Sequence, residues 1–306
     1  MEEENKLGAT DFFMLLAVIF WAVNFPVVKI ALRQFTPLAF NGIRLFLASL
    51  ILLFILFLSR EGLAVAKTDM GMIIFLSLIG NTIFQMFFIH GLNWTSASNT
   101  SILMAMTPVF VALLSLCLKL ERIHWAAWLG IGISFVGFYL VISRQPGELQ
   151  ISWGNLRGEL MVLAGNICWA VYTVLAKPLL DKMSPLKLTA ITMAIGTFFY
   201  LPFSLGQIFS HRTAVVNQQG WGILFYSSLF ALVISYIIWY ASVKKVGNTK
   251  TVIYSNLTPI ITVILAYFFL SERLTFFQAV GSLIILIGVY LTRAGYRLFE
   301  KRRYNF

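Results

Sequence analysis

The residues that could do chemistry in this chain are few, and the strongest of them sit inside apolar runs. Arg44 lies about seven residues into one such run. A guanidinium there can grip a carboxylate through two parallel hydrogen bonds. It can equally reach out to the water interface or hold helix-end carbonyls. Asn81 and Gln85 are four apart and share one helical face. Trp21 with Asn24, and Trp169 with Tyr172, each place an aromatic and a polar group three apart. Tyr236 and Tyr240 extend a further face by one turn. Donors and aromatic surfaces of this kind hold a solute. Helix–helix hydrogen bonding is the competing use of the same groups.

Other chemistries lack material. The three histidines, His90, His124 and His211, are widely spaced, and neither H-E-x-x-H nor G-x-S-x-G occurs. Cys117 and Cys168 have no ligand spacing and read as small packing residues. There is no Gly-rich phosphate loop, so direct use of ATP is not expected, and no cofactor or metal is implied. All twelve acidic residues lie in loops or close to helix ends. That leaves no mid-membrane carboxylate for a lipophilic cation or a proton relay. A zwitterionic, anionic or neutral metabolite suits the available groups better.

The elements that must position these residues follow from composition. The chain is 59% hydrophobic and 11% charged, with a mean hydropathy of +0.84. A soluble domain carries roughly 25% charged residues, so a bilayer is the fitting solvent. Apolar runs long enough to cross it are expected near 11–32, 38–59, 70–91, 98–118, 124–142, 158–180, 186–208, 220–243, 249–270 and 274–295. The first lacks a small-residue cleavage site and is expected to stay as a helix. Of the 23 Lys and Arg, about 16 gather on one side if the N-terminus is cytoplasmic, against about seven on the other. The positive-inside rule then places both termini in the cytoplasm, in a multi-pass protein of the inner (plasma) membrane. The basic balance marks loops at the anionic leaflet, not a nucleic-acid partner. The expected partners are the bilayer and a small solute, with the oligomeric state open.

The chain also repeats itself. An offset of 148 lays Trp21-Ala22-Val23 on Trp169-Ala170-Val171, Lys29 on Lys177, Pro37 on Pro185 and Asp11 on Glu159. An offset of 151 lays Gln85 on Tyr236, Thr107-Pro108 on Thr258-Pro259 and Glu121-Arg122 on Glu272-Arg273. Gly130 and Gly137 fall on Gly281 and Gly288, which gives small faces for close helix contact. We therefore expect an all-α integral membrane protein of ten transmembrane helices, as two five-helix repeats, 1–147 and 148–306. Five is odd, so the second copy must be inverted, and inverted repeats suit alternating access around a midplane site. Pro108 and Pro259 would bend the fourth and ninth spans. Lys29 and Lys177, near opposite faces, would snorkel or pair at gates. The two Glu-Arg turns would cap the helices that follow them.

This pattern resembles the drug/metabolite transporter superfamily in its EamA-like branch. Trp21-Ala22-Val23-Asn24, Arg44, Thr107-Pro108 and Leu120-Glu121-Arg122 carry the likeness in the first half. Trp169-Ala170, Thr258-Pro259, Ser271-Glu272-Arg273 and Gly281 to Gly288 carry it in the second. The resemblance implies a ten-helix carrier with a central cavity, often an exporter of amino acids or other metabolites. The expectation is a secondary exporter of small organic metabolites and not an enzyme. Uptake, multidrug or nucleoside efflux, a channel and an intramembrane enzyme are the alternatives.

Overall fold

The computed structural model describes residues 8–118, 125–143, 153–252 and 254–303. The Glu121-Arg122 turn and His124 lie outside the described residues, as do Lys6, Lys119 and Arg144 from the charge count. Every regular element among the described residues is helical. In order they are α1 (Ala9–Ala31), α2 (Pro37–Leu58), α3 (Lys67–Ser77), α4 (Phe84–Trp94), α5 (Ala97–Met104), α6 (Thr107–Cys117), α7 (Trp125–Ser143) and α8 (Trp153–Leu180). There follow α9 (Pro185–Ile208), α10 (His211–Ala214), α11 (Gln218–Tyr226), α12 (Ser235–Val246), α13 (Asn248–Thr251), α14 (Thr258–Leu270) and α15 (Phe276–Arg303). Seven helical stretches are long and apolar enough to cross a bilayer, one of them, Ala97–Cys117, with a turn inside it. Three shorter apolar helices, Ala127–Ile142, Tyr254–Leu270 and Phe276–Thr292, stand where the fifth, ninth and tenth spans are expected.

Local sequence explains several boundaries. Thr36 accepts from Ala39 N and Pro37 opens α2, while Ser184 accepts from Lys187 N and Pro185 opens α9. A capping hydroxyl followed by proline is a favoured helix start, because the proline's missing N–H falls where the helix has no partner to offer. The two starts stand 148 residues apart.

Three features depart from the sequence expectation. First, spans three and eight are not plain α-helices. Leu78–Ile83 joins α3 to α4 as a π-helix, and Ser227–Ile234 joins α11 to α12 in the same way. Each π segment accommodates extra backbone per turn and swings the side chains that follow onto a new face. Second, Pro108 and Pro259 do not bend continuous helices. The fourth span breaks between α5 and α6, and the ninth passes from a 3₁₀ turn at Tyr254–Leu257 into α14. Each proline sits at the start of the helix after the break. Third, α8 begins at Trp153, so Glu159 lies well inside the helix and is buried.

The glycines of α7 and α15 behave as their spacing implies. A Cβ on Gly137 would stand 2.7 Å from the Gly281 carbonyl oxygen and 2.7 Å from Ile285 N. These backbones touch. Cys117 is exposed, contrary to the packing role expected for it, whereas Cys168 packs against the main core.

Candidate binding cavity

One cavity of about 80 Å³ lies among α1, α2, α4, α5, α6, α8, α12 and α14. Its aromatic wall is made by Trp21, Trp169, Tyr236 and Trp239, with Phe84 and Phe88 beside them. Trp21 meets Trp169 edge-on at 6.1 Å, and Trp169 meets Tyr236 at 5.0 Å. The Trp21 indole is fixed by a 2.9 Å bond to the Ala231 carbonyl, which the π segment places there.

Arg44 is the only charged side chain lining this cavity among the described residues, and it is 1% exposed. Its two terminal nitrogens donate to Ser227 Oγ at 3.0 Å and to Gln85 Oε1 at 2.5 Å. Gln85 in turn donates to the Tyr236 hydroxyl at 2.9 Å, and Ser227 donates to Asn24 Oδ1 at 2.6 Å. Phe40 and Phe88 lie 5.8 and 5.9 Å from the guanidinium carbon, each near enough for a cation–π contribution. Every one of these partners is neutral. Among the described residues no carboxylate pairs with Arg44, and its Nε is buried without a partner. Trp239 Nε1 and Thr258 Oγ1, on the same walls, are also buried and unpartnered. A buried polar group left unmatched costs about 1–3 kcal/mol, and more when it is charged. The cavity is therefore built to receive hydrogen-bonding groups, with a standing positive charge at one wall.

The structure brings together six of the nine expected binding residues: Trp21, Asn24, Arg44, Gln85, Trp169 and Tyr236 all line the cavity. Asn81, Tyr172 and Tyr240 do not. Asn81 lies 3.4 Å from the Tyr172 hydroxyl, which is itself 2.5 Å from Thr192 Oγ1. Tyr240 packs against Trp169 and Tyr172 behind the wall. The π segment in span three turns Gln85 toward the cavity while Asn81, on the segment itself, faces α8 and α9. Phe88, Ser101, Met104, Thr107, Trp239, Ser255 and Thr258 line the cavity and were not expected there.

The two lysines lie away from the cavity. Lys29 Nζ donates to the carbonyls of Leu92, Asn93 and Thr95 at 2.8, 2.8 and 2.6 Å. It thus caps the C-terminus of α4, where helix-end carbonyls attract a cation. Lys177 makes a looser copy, 3.1 Å from the Lys244 carbonyl and 3.4 Å from Asp181. Glu272 does not cap the helix that follows it. Its carboxylate accepts from Ala97 N, Ser98 N and Ser98 Oγ, closing the N-terminus of α5 from the far half of the chain.

Comparison with known proteins gives the family and the fold. The model of the EamA-like transporter family matches residues 8–143 and again 156–294. An uncharacterized transporter of Archaeoglobus fulgidus is 32% identical over 285 residues, covering 93% of this chain and 97% of that protein. The uncharacterized transporter YyaM of Bacillus subtilis is 29% identical over 93% of each chain. A probable terminal-alkyne amino-acid exporter of Streptantibioticus cattleyicolor is 26% identical over 94% of each. A chain of one crystal structure superposes with a TM-score of 0.69 at 13% identity, covering 95% of this chain and 99% of that one. At that identity the likeness is one of fold.

Proposed function

The chain belongs to the EamA-like transporter family, and from that premise we propose that it is a secondary carrier exporting small carboxylate-bearing metabolites, amino acids foremost. One observation carries the substrate class: Arg44 is buried at the cavity with neutral partners only among the described residues. Placing a charge in a membrane interior costs several kcal/mol, and such residues mark substrate paths. A substrate carboxylate would supply the missing counter-charge through a charge-assisted bond. An ammonium or an apolar side chain would then lie against Trp21, Trp169 and Trp239, since cations favour indole faces.

In this reading ten spans form two inverted repeats, 1–147 and 148–306, with both termini in the cytoplasm of a cell with an inner membrane. The matched π segments, capped helix starts and broken spans support that arrangement. Alternating access would come from rocking one half against the other. Lys29 with Leu92, Asn93 and Thr95 would close one face, and Lys177 with Lys244 the other.

The test is counterflow in proteoliposomes preloaded with a pool of unlabelled amino acids. Saturable accumulation of a labelled amino acid, abolished in Arg44→Gln, supports the reading. Equal accumulation by wild type and Arg44→Gln, at equal folded abundance, would sink it.

A further inference from the structure

The two span breaks share a sequence frame but not their contacts. At the first, Pro108 has no N–H to give the Met104 carbonyl. Asn166 on α8 makes good the loss, donating from Nδ2 to the Leu103 carbonyl at 2.9 Å and to that of Met104 at 3.3 Å. The Thr107 hydroxyl lies 2.7 Å from Asn166 Oδ1 and 2.6 Å from the Met104 carbonyl. This break is sealed.

At the second break the offset of 151 sets Ser255 for Met104, Thr258 for Thr107 and Pro259 for Pro108. The counterpart of Asn166, by the offset of 148, is Val18. Val18 is fully buried on α1, which packs on α14 as α8 packs on α6. It has no polar atom to offer. Pro259 cannot donate to the Ser255 carbonyl, and the Ser255 hydroxyl turns back to Val252 at 2.6 Å. Thr258 Oγ1 is left without a partner, on a residue 6% exposed that lines the cavity together with Ser255. The same frame is closed in one half and open to the cavity in the other.

We propose that the Thr258 hydroxyl forms the recognition point for the substrate's hydrogen-bond-donating end, an ammonium or hydroxyl, apart from the Arg44 wall that takes its carboxylate. The assignment rests on the carboxylate reading above and adds the second half of the specificity. A threonine hydroxyl can accept a hydrogen bond from an ammonium, and can also donate one. A site built to bond such a group rejects the analogue lacking it far more strongly than a purely apolar wall can. Val18 is then a specificity-determining residue through what it fails to do.

The test compares leucine with 4-methylpentanoate, the same acid without its amine, as competitors of labelled leucine counterflow. Wild type should favour leucine by at least tenfold. Val18→Asn, which installs the seal of the first half, and Thr258→Val, which removes the hydroxyl at equal size, should each bring the two within threefold. Thr258→Ser should keep the wild-type ratio. Circular dichroism and monodisperse elution in detergent establish folding of each variant, and Thr258→Val stands if Val18→Asn does not fold. Wild-type discrimination kept in the folded variants overturns the assignment while the Arg44 reading stands. Wild-type leucine counterflow that neither compound inhibits, or no leucine counterflow at all, removes the Arg44 reading and this assignment with it.

Discussion

Arg44 and Gln85 meet across α2 and α4 through a 2.5 Å bond, and Gln85 passes the contact on to Tyr236 in the other half of the chain. A guanidinium held this way is oriented but not neutralised. Its charge remains for whatever enters the cavity.

Replacing Arg44 by Met should separate stability from transport. The exchange removes an unpaired buried charge, a gain that opposes the roughly 1–3 kcal/mol cost of leaving Gln85 Oε1 without its donor. Thermal unfolding in detergent should therefore be unchanged or shifted upward, while counterflow falls at least about a hundredfold, the scale of losing one partner of a buried charge pair. A variant that unfolds early would show that Arg44 serves packing.

Gln85→Ala and Tyr236→Phe should not act independently. Residues joined in one network show coupling of about 0.5–3 kcal/mol in a double-mutant cycle. The cycle would be measured on counterflow rate per folded protein. Additive losses would mean that the 2.9 Å bond between them does not matter to transport.

The two lysines should differ. Lys29 holds three carbonyls, and hydrogen bonds to charged groups contribute about 1.5–3 kcal/mol each before non-additivity. Lys29→Met is expected to cost about 2 kcal/mol or more in a denaturant titration. Lys177 is 34% exposed beside Asp181, so Lys177→Met should cost no more than about 1 kcal/mol. Equal losses would contradict the asymmetry of the two clamps.

Two glycines of one helix give opposite outcomes. Gly137→Ala drives a Cβ to 2.7 Å from the α15 backbone, and overpacking of this kind costs about 1–3 kcal/mol. Gly132 has nothing within 4 Å of its Cβ position. There Gly132→Ala should be neutral or stabilise by up to about 1 kcal/mol, through helix propensity alone. Thermal stability of the two variants checks the pair.

Much of the cavity was legible once the repeat was seen. Gln85 and Tyr236, one offset apart, are joined in the structure. The same offset links Phe88 to Trp239, Met104 to Ser255 and Thr107 to Thr258, and all six line the cavity. They were missed because each looks like ordinary core or helix-start material when read singly. Ser227 was beyond reach: its offset mate is Leu76, so no symmetry points to it. The π segments were equally hidden, since an extra residue in a turn needs no particular side chain and overrides the four-residue spacing that grouped Asn81 with Gln85. Pro108 and Pro259 read as bends, yet each stands at the start of a helix after an interruption, because proline alone does not tell a bend from a break.

The long reach of Arg44 has a consequence for how the protein is made. Gln85 follows it by 41 residues, but Ser227 follows by 183. At about 5–20 residues per second, the second partner emerges roughly 10–40 s after the arginine has entered the bilayer. During that interval the nascent chain carries a half-satisfied charge in lipid, tolerable because the rest of α2 is strongly apolar. The first half expressed alone should remain in that unfinished state and be cleared by membrane proteases. Supplying the second half as a separate polypeptide should rescue it, with the arginine as the point where the two are proofread against each other.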